Sequence, residues 1–565
     1  MSSGVVLRGI GVGRGAAVGP VVLARAVPEL PADERRGDPD VAVGSAHRAL
    51  AGVADVLAEQ AARAEGARAA VLAATAALAR DRALASDVER RVRDGAGPAR
   101  ALHEAVEALC AMLDAAGGVF AERTTDLRSV RDRAVARVLG LPEPGVPDLE
   151  EPSVVVAVDL SPADTAGLDP ALLLALVTER GGPTGHTAIV ARQLGIPCLV
   201  RVAGAADLPV GTRVAVDAAA GELTVDPSEQ LVARLASRAA ALAALAEDSA
   251  PGTTADGHRV ALLANVGDVA GAVAAAATGV EGIGLLRTEV LFLDRRTVPT
   301  QEEQVAAYTA LLDAYAGRKV VVRTLDAGAD KPLAFVPHAA EENPALGVRG
   351  YRLVRTVPEV LDGQLAALAV AARRTEAELW VMAPMIATSA EAAEFRDRAR
   401  AVGLRTVGVM VEVPSAALRA ADVVAEVDFV SIGTNDLAQY TMATDRLRGE
   451  LDDLLDPWQP AVLELVARTA EAGARAGRPV GVCGESAADP AMALVLTGLG
   501  VTSLSMAPTA VPPVRFALRS HTLAEAREMA AAATGAHDAR AARAAVTALV
   551  RPDVRDVLGL GAAGA

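Results

Sequence analysis

Aromatic residues make up only 2% of this 565-residue chain: six Phe, four Tyr and two Trp. A surface that stacks nucleic-acid bases needs such rings, so the sequence offers no support for that class. Positive charge is also in deficit. Lys and Arg number 55 against 71 Asp and Glu, a net charge of −16 that argues against general binding to polyanions. A small anionic substrate stays open, because a site needs only a few local arginines. Cysteine is scarce: Cys110, Cys198 and Cys483 are too scattered for metal-binding spacing and read as free thiols in a reducing compartment. No uninterrupted apolar run is long enough to span a bilayer, and the N-terminus lacks the features of a secretory leader. A soluble cytoplasmic protein is expected, with neither nucleic acid nor membrane as partner.

What is present is apolar mass, 52% hydrophobic residues, mostly Ala, Val and Leu. The chain is too long for one core, so two to four domains are expected. Residues 1–25 read as short strands and turns. Gly9, Gly11, Gly13 and Gly15 imitate a dinucleotide loop but lack the strand before and the helix after it. From about 40 to 140 the pattern turns helical, with stripes at Leu50-Val53-Leu57 and Val106-Leu109-Met112-Leu113. Strand-like runs return at 153–158 and 214–217, and an alanine-rich helix near 227–248 ends at Pro251-Gly252. Beyond it, apolar strands at 260–266, 282–287, 319–325, 379–385, 407–413, 429–433, 479–483 and 503–505 alternate with helices. The expected fold class is therefore multidomain α/β. It comprises a discontinuous α/β domain (1–25 and 145–226), a helical insert (26–144), a linker helix (227–250) and a (β/α)₈ barrel (251–565).

Two places carry chemistry. Gly181-Gly182-Pro183-Thr184-Gly185-His186 follows an apolar run and opens a helix-like pattern that stops at Gly195-Ile196-Pro197. A helix start offers unpaired N–H groups and partial positive charge to an anion, and holds a histidine near its neutral, nucleophilic form. A core or capping histidine fits the same segment taken alone. His47, His103, His258, His338, His521 and His537 lack comparable surroundings and read as surface or structural.

The second place is the barrel. Active groups of such barrels sit where strands end. Arg287, Arg323 with Asp326 and Lys331, Met385, Glu412, Asn435 with Asp436, and Cys483 all fall there. Glu412 and Asp436 are hard oxygen donors suited to Mg²⁺, and Arg287 and Arg323 suit phosphate oxygens. Cys483 adds a thiol able to exchange a proton with carbon; a buried core cysteine is the plainer alternative.

Gly181–Arg192 resembles the phosphohistidine segment of phosphoenolpyruvate-utilising enzymes. Leu285-Leu286-Arg287-Thr288-Glu289, Arg323-Thr324-Leu325-Asp326 with Asp330-Lys331-Pro332, and Glu342-Asn343-Pro344-Ala345-Leu346-Gly347 with Arg349 resemble their barrel. So do Met410-Val411-Glu412-Val413-Pro414, Ser431 to Leu437 with Gln439-Tyr440, Asp445-Arg446 and Cys483-Gly484-Glu485. The likeness covers nearly the whole chain and favours the branch that opens the bacterial sugar phosphotransferase system.

It implies phosphoenolpyruvate at the barrel mouth, with Mg²⁺ on Glu412 and Asp436. Arg287, Arg323 and Arg446 would hold the substrate, with Asn435 assisting. It further implies that His186 takes the phosphoryl group, that Cys483 protonates the enolate, and that the small carrier HPr, docked on the helical insert, receives the phosphoryl group from a homodimer. Pro183 and Gly185 replace the family's usual Arg and Ser, Ala329 a usual glycine, and Thr75 a common carrier-facing histidine. A nucleotide-using dikinase is a poorer match, since fewer than 190 residues precede His186. A phosphoenolpyruvate-binding regulator or scaffold is the other alternative.

Overall fold

Valine runs and alanine-rich amphipathic segments divide the chain as their periods dictate. The computed structural model describes residues 4–560 except 14, 26, 32, 33, 35, 36, 64, 65, 117, 118, 148, 161–163, 166, 167, 170, 183–185, 293, 294, 296, 329–332, 337–340, 447–450 and 452. Two compact units follow one another, Met1–Ala239 and Ala240–Ala565.

The first unit holds an eight-stranded sheet: β1 (Val6–Arg8), β2 (Ile10–Val12), β3 (Ala16–Leu23), β4 (Ser153–Ala157), β5 (Leu173–Thr178), β6 (Cys198–Val200), β7 (Arg213–Asp217) and β8 (Glu222–Val225). Their order is β1-β8-β7-β3-β4-β5-β6-β2. β3 to β6 pair in parallel and the outer strands antiparallel. The parallel centre is buried on both faces, which is why β4 reads Ser-Val-Val-Val-Ala without alternation. Val155 and Leu176 pack on one face, and Val154, Val156 and Val177 on the other.

Between β3 and β4 lie five helices: α1 (Pro39–Arg63), α2 (Gly66–Ala79), α3 (Arg82–Arg93), α4 (Pro98–Ala116) and α5 (Val119–Leu139). They share a core of their own built on Leu50, Val53, Leu57, Val88, Leu102 and Val130. Asp81 caps α3, its carboxylate accepting from the N–H groups of Ala83 at 2.7 Å and Leu84 at 3.0 Å. The Leu50-Val53-Leu57 stripe is buried as its spacing requires. Met112 is not: it is 64% exposed, because the buried face of α4 runs through Leu102, Val106 and Cys110. Pro39–Ala62 of α1 is long and apolar enough on average to cross a membrane, but Asp40, Arg48, Asp55 and Glu59 interrupt it and Ala46, Leu50 and Val53 face the helical core.

The second unit closes into a parallel barrel of β9 (Ala261–Val266), β10 (Gly282–Arg287), β11 (Lys319–Arg323), β12 (Glu378–Ala383), β13 (Thr406–Val411), β14 (Phe429–Gly433), β15 (Val480–Cys483) and β16 (Ser503–Met506). All eight expected strands are present, but three stop early. The backbone leaves β11 after Arg323, and the Leu325 N–H turns to the side-chain oxygen of Gln364 at 3.0 Å. At β12, Pro384 has no N–H to give the ladder and Met385 takes φ +62°. β13 ends at Val411, so Glu412 stands one residue past its strand. Each early stop releases a polar group at the same rim.

Candidate active site

The rim at the C-terminal ends of the strands is wired by buried charge. Arg323 closes β11 and is only 7% exposed. Its Nη2 lies 3.3 Å from Glu289 Oε1 and its Nη1 3.4 Å from Asp326 Oδ2. Glu289 also accepts the Asp326 N–H at 2.5 Å, fixing the turn after β11. Burial opposes the Arg323 charge, but Glu289, Asp326, Glu412 and Cys483 outweigh it and hold the guanidinium firmly protonated. Its Nε is buried without a hydrogen-bond partner. A buried donor left unmade is costly.

Arg349 is the second pillar. With no side-chain exposure it donates to both oxygens of Asp326, at 3.1 and 3.0 Å, and through Nη1 to Asp436 Oδ1 and Tyr440 Oη, each at 3.3 Å. Gly350 follows at φ +57°, and a Cβ there would stand 2.9 Å from Met385 Cβ. Only glycine therefore lets this segment pass beneath the rim.

Glu412 is 1% exposed and accepts the Met385 N–H through Oε1 at 2.7 Å. The unusual backbone of Met385 aims that N–H inward. Burial first, then Asp436 and Asp326, push the Glu412 carboxyl up to about 8, against Arg323 and the Met385 N–H. Asp436 sits in the first turn of the helix Thr434–Thr441, 6% exposed, with Arg446 Nη1 3.7 Å from its Oδ1. Glu412 Oε1 and Asp436 Oδ1 thus already have partners, and the other oxygen of each carboxylate remains as a hard donor for a divalent cation. Among the described residues no cluster of three or more His, Cys, Asp or Glu forms a metal cage. A cation such as Mg²⁺ uses one or two carboxylates and completes its shell with substrate and water, so two donors fit it.

Cys483 closes β15 and is 3% exposed. It accepts from the Ser431 hydroxyl at 3.5 Å and donates to Ile432 O at 3.6 Å. Burial pushes its thiol up to about 11, with Glu412 adding to the rise and Ser431 and Arg323 opposing it. At neutral pH it holds its proton. Cys110 and Cys198 are buried and form no disulfide. Arg287 at the end of β10 and Asn435 are exposed at the rim.

In the first unit the helix His186–Leu194 begins at His186, shortly after β5. It ends on Gly195 at φ +69°, with the Ile196 N–H bonded to Ala191 O at 3.0 Å, a left-handed helix stop. Arg201 Nε donates to Gly181 O at 3.0 Å and braces the turn that leads there. For His186 the structure describes the backbone, and Pro183, Gly185, Ala329, Asp330 and Lys331 lie outside the described residues. Thr75 in α2 is fully buried.

Sequence reasoning singled out Arg287, Arg323, Glu412, Asn435, Asp436, Arg446 and Cys483; the fold places them at one rim. It did not assign Arg349 or Glu289 a role in the site, though both stand inside motifs noted above. An arginine beside glycine, in Gly347-Val348-Arg349-Gly350, was the available signal.

Family models match in three consecutive stretches: the N-terminal region of PEP-utilising enzymes at residues 8–123, their mobile domain at 149–221 and their PEP-binding domain at 243–523. A phosphoenolpyruvate-protein phosphotransferase of Streptomyces coelicolor is 51% identical, the match covering 96% of this chain and 99% of that protein. One from Haloferax volcanii is 39% identical over 82% of this chain and 84% of its own. A solution structure of Enzyme I, 29% identical, covers 41% of this chain and 98% of that one with a TM-score of 0.38. The chain belongs to the PEP-utilising enzyme family, as a member of its phosphoenolpyruvate-protein phosphotransferase branch. Its activity is phosphoenolpyruvate-dependent phosphotransfer.

Proposed function

We propose that the rim of the barrel binds phosphoenolpyruvate and that His186 takes its phosphoryl group. The observation that carries this reading is the set of charges fixed at one rim, Arg323 on Glu289 and Asp326, Arg349 on Asp326 and Asp436, and Arg446 beside Asp436. Arg287, Arg323 and Arg446 pair with the phosphate and carboxylate of the substrate, and Asn435 adds a donor at the rim. Glu412 and Asp436 hold Mg²⁺, which when bound neutralises phosphate charge. The protein's own part is positioning and charge stabilisation, which phosphoryl transfer chiefly needs.

The bond from phosphorus to the enol oxygen breaks as a bond to a ring nitrogen of His186 forms. The electron pair of the enolate then takes the Cys483 proton at C3, giving pyruvate. A thiol that keeps its proton at neutral pH suits that step. His186 at a helix N-terminus is suited to carry a phosphoryl group, since the orphan N–H groups there face an anion. Donor site and His186 belong to different units, so catalysis requires His186 to be delivered to the rim and later to an acceptor.

The acceptor we assign is a histidine of the carrier HPr, docking on a helical domain of residues 26–144 in a cytoplasmic homodimer. The remaining domains are 1–25 with 145–226, the linker helix 227–250 and the barrel 251–565. Thr75 is buried, so the docking surface must be built from other residues of that domain.

Labelled phosphoenolpyruvate with Mg²⁺ and no nucleotide is the test. The parent protein gains acid-labile label, His186→Ala gains none, and added HPr removes the label from the parent. An unlabelled parent overturns the reading, and label that moves only to a nucleotide would point to a dikinase.

A further inference from the structure

The interior of a β/α barrel is ordinarily filled by branched apolar side chains in layers. Here part of the interior is polar. Leu285, Val321, Met382, Met410 and Phe429 pack together with Cys483 and Trp380. Beside them lies a cavity of about 10 Å³, whose lining includes Gly284, Lys319, Ser431, Gly481, Ser503 and Ser505. That is the size that admits one water among polar partners. A Cβ on Gly481 would stand 2.8 Å from Ser503 Oγ and 3.8 Å from Ser431 Oγ, so glycine keeps the space between these hydroxyls open.

The cavity joins two groups of opposite character. At one end the Ser431 hydroxyl donates to Cys483 Sγ at 3.5 Å. At the other, Lys319 opens β11 with its Nζ 3.6 Å from the Trp380 ring centre. Burial pushes the Lys319 amine down to about 8, with Glu378 opposing, so its proton is held loosely near neutral pH. Cys483, once it has given a proton to carbon, is a thiolate at a site only 3% exposed. It must recover a proton before the next substrate, and burial disfavours its waiting as an anion.

We propose that this cavity, through the three serine hydroxyls in its lining, is a proton path that restores Cys483 from Lys319 through Ser431. The inference rests on Cys483 being the proton donor to the enolate. The Ser431 O–H proton passes to the thiolate and forms S–H. Ser431 takes a proton in the same movement from Ser503 or from a water in the cavity, which takes one from the Lys319 ammonium. Lys319 is left a neutral amine and regains its proton from solvent. Ser431 and Lys319 are therefore relay residues that never touch substrate.

The first half-reaction, run forward and back, exposes this path without any carrier. The whole protein is incubated in D₂O with Mg²⁺, phosphoenolpyruvate and carbon-labelled pyruvate. Carbon label entering phosphoenolpyruvate counts reversals; deuterium at C3 counts exchange of the Cys483 proton with solvent. In the parent the two advance together. In Ser431→Ala and Lys319→Met carbon exchange stays within about threefold of the parent while deuterium entry per reversal falls roughly tenfold. Ser431→Thr, which keeps the hydroxyl, restores the ratio. An unchanged ratio in both variants, or carbon and deuterium falling together, overturns the path. Unaltered exchange in Cys483→Ala sinks the donor assignment itself, and the path with it.

Discussion

The helical insert and the barrel rim use the same arginine–carboxylate chemistry at opposite ends of the exposure scale. On the helices, Arg80 meets Asp55 at 2.7 Å with both side chains more than half exposed, 52% and 68%. At the rim, Arg349 meets Asp326 at 3.0 Å with neither side chain exposed at all. Solvent and side-chain entropy erase most of the value of the first kind of pair. The second kind costs desolvation that its own attraction barely repays, so well-packed apolar residues would serve stability as well. A fold retains such charges where they must be held in one geometry. The contrast separates a solvated scaffold from a preorganised site, although both read as Arg and Asp in the sequence.

The contrast breaks most sharply at Arg349. Arg349→Met removes the cation shared by Asp326 and Asp436 and leaves them the longer contacts to Arg323 and Arg446. We expect a loss of about 3–5 kcal/mol in urea unfolding together with loss of phosphorylation; a loss below about 1 kcal/mol would place the pair with ordinary surface pairs. Next is Gly350→Ala, which forces a side chain into φ +57° against Met385. A destabilisation of about 1–3 kcal/mol is expected, and a neutral result would show that the segment beneath the rim can shift.

A smaller, pH-dependent effect belongs to His521. It is fully buried, accepts the Arg551 N–H at 3.2 Å and bonds Ala517 O at 2.9 Å. Burial lowers its pKa, with Arg551 adding to the fall and Ala517 O, Glu525 and Asp553 opposing it. Its stabilising contribution is present above the unfolded value of about 6.5 and lost as pH falls below it, because the unfolded chain takes the proton first. Urea midpoints at pH 8 and pH 5.5 should differ more for the parent than for His521→Gln; equal differences would refute this. Least of all, Arg80→Ala should move unfolding by less than about 0.5 kcal/mol, and a larger change would contradict the view of the helical pairs as solvated.

Much of this was legible in the sequence because barrels announce themselves by period and place their chemistry at strand ends. Glu412, Asp436, Arg323 and Cys483 were found that way. The part that was not legible lies in cross-chain geometry. Arg349 stands in extended backbone just before the 3₁₀ stretch Gly350–Arg355, outside any strand, and its partners Asp326 and Asp436 are far from it in sequence. Ser431, Ser503 and Gly481 are unremarkable residues on three separate strands until the barrel closes and sets them around one cavity. Pro384 was a local sign of the early end of β12, but nothing in the sequence marks the positive φ of Met385 that aims its N–H at Glu412.

The central claim is that phosphoenolpyruvate held by the barrel rim gives its phosphoryl group to His186 and its carbon skeleton to pyruvate in one coupled event. Rapid-quench mixing of the protein with substrate and Mg²⁺, without acceptor, measures both products at once. The account predicts one pyruvate for each acid-labile phosphoryl group on the parent, and neither product with His186→Ala. Pyruvate released without phosphoprotein, or label retained by His186→Ala, would contradict it.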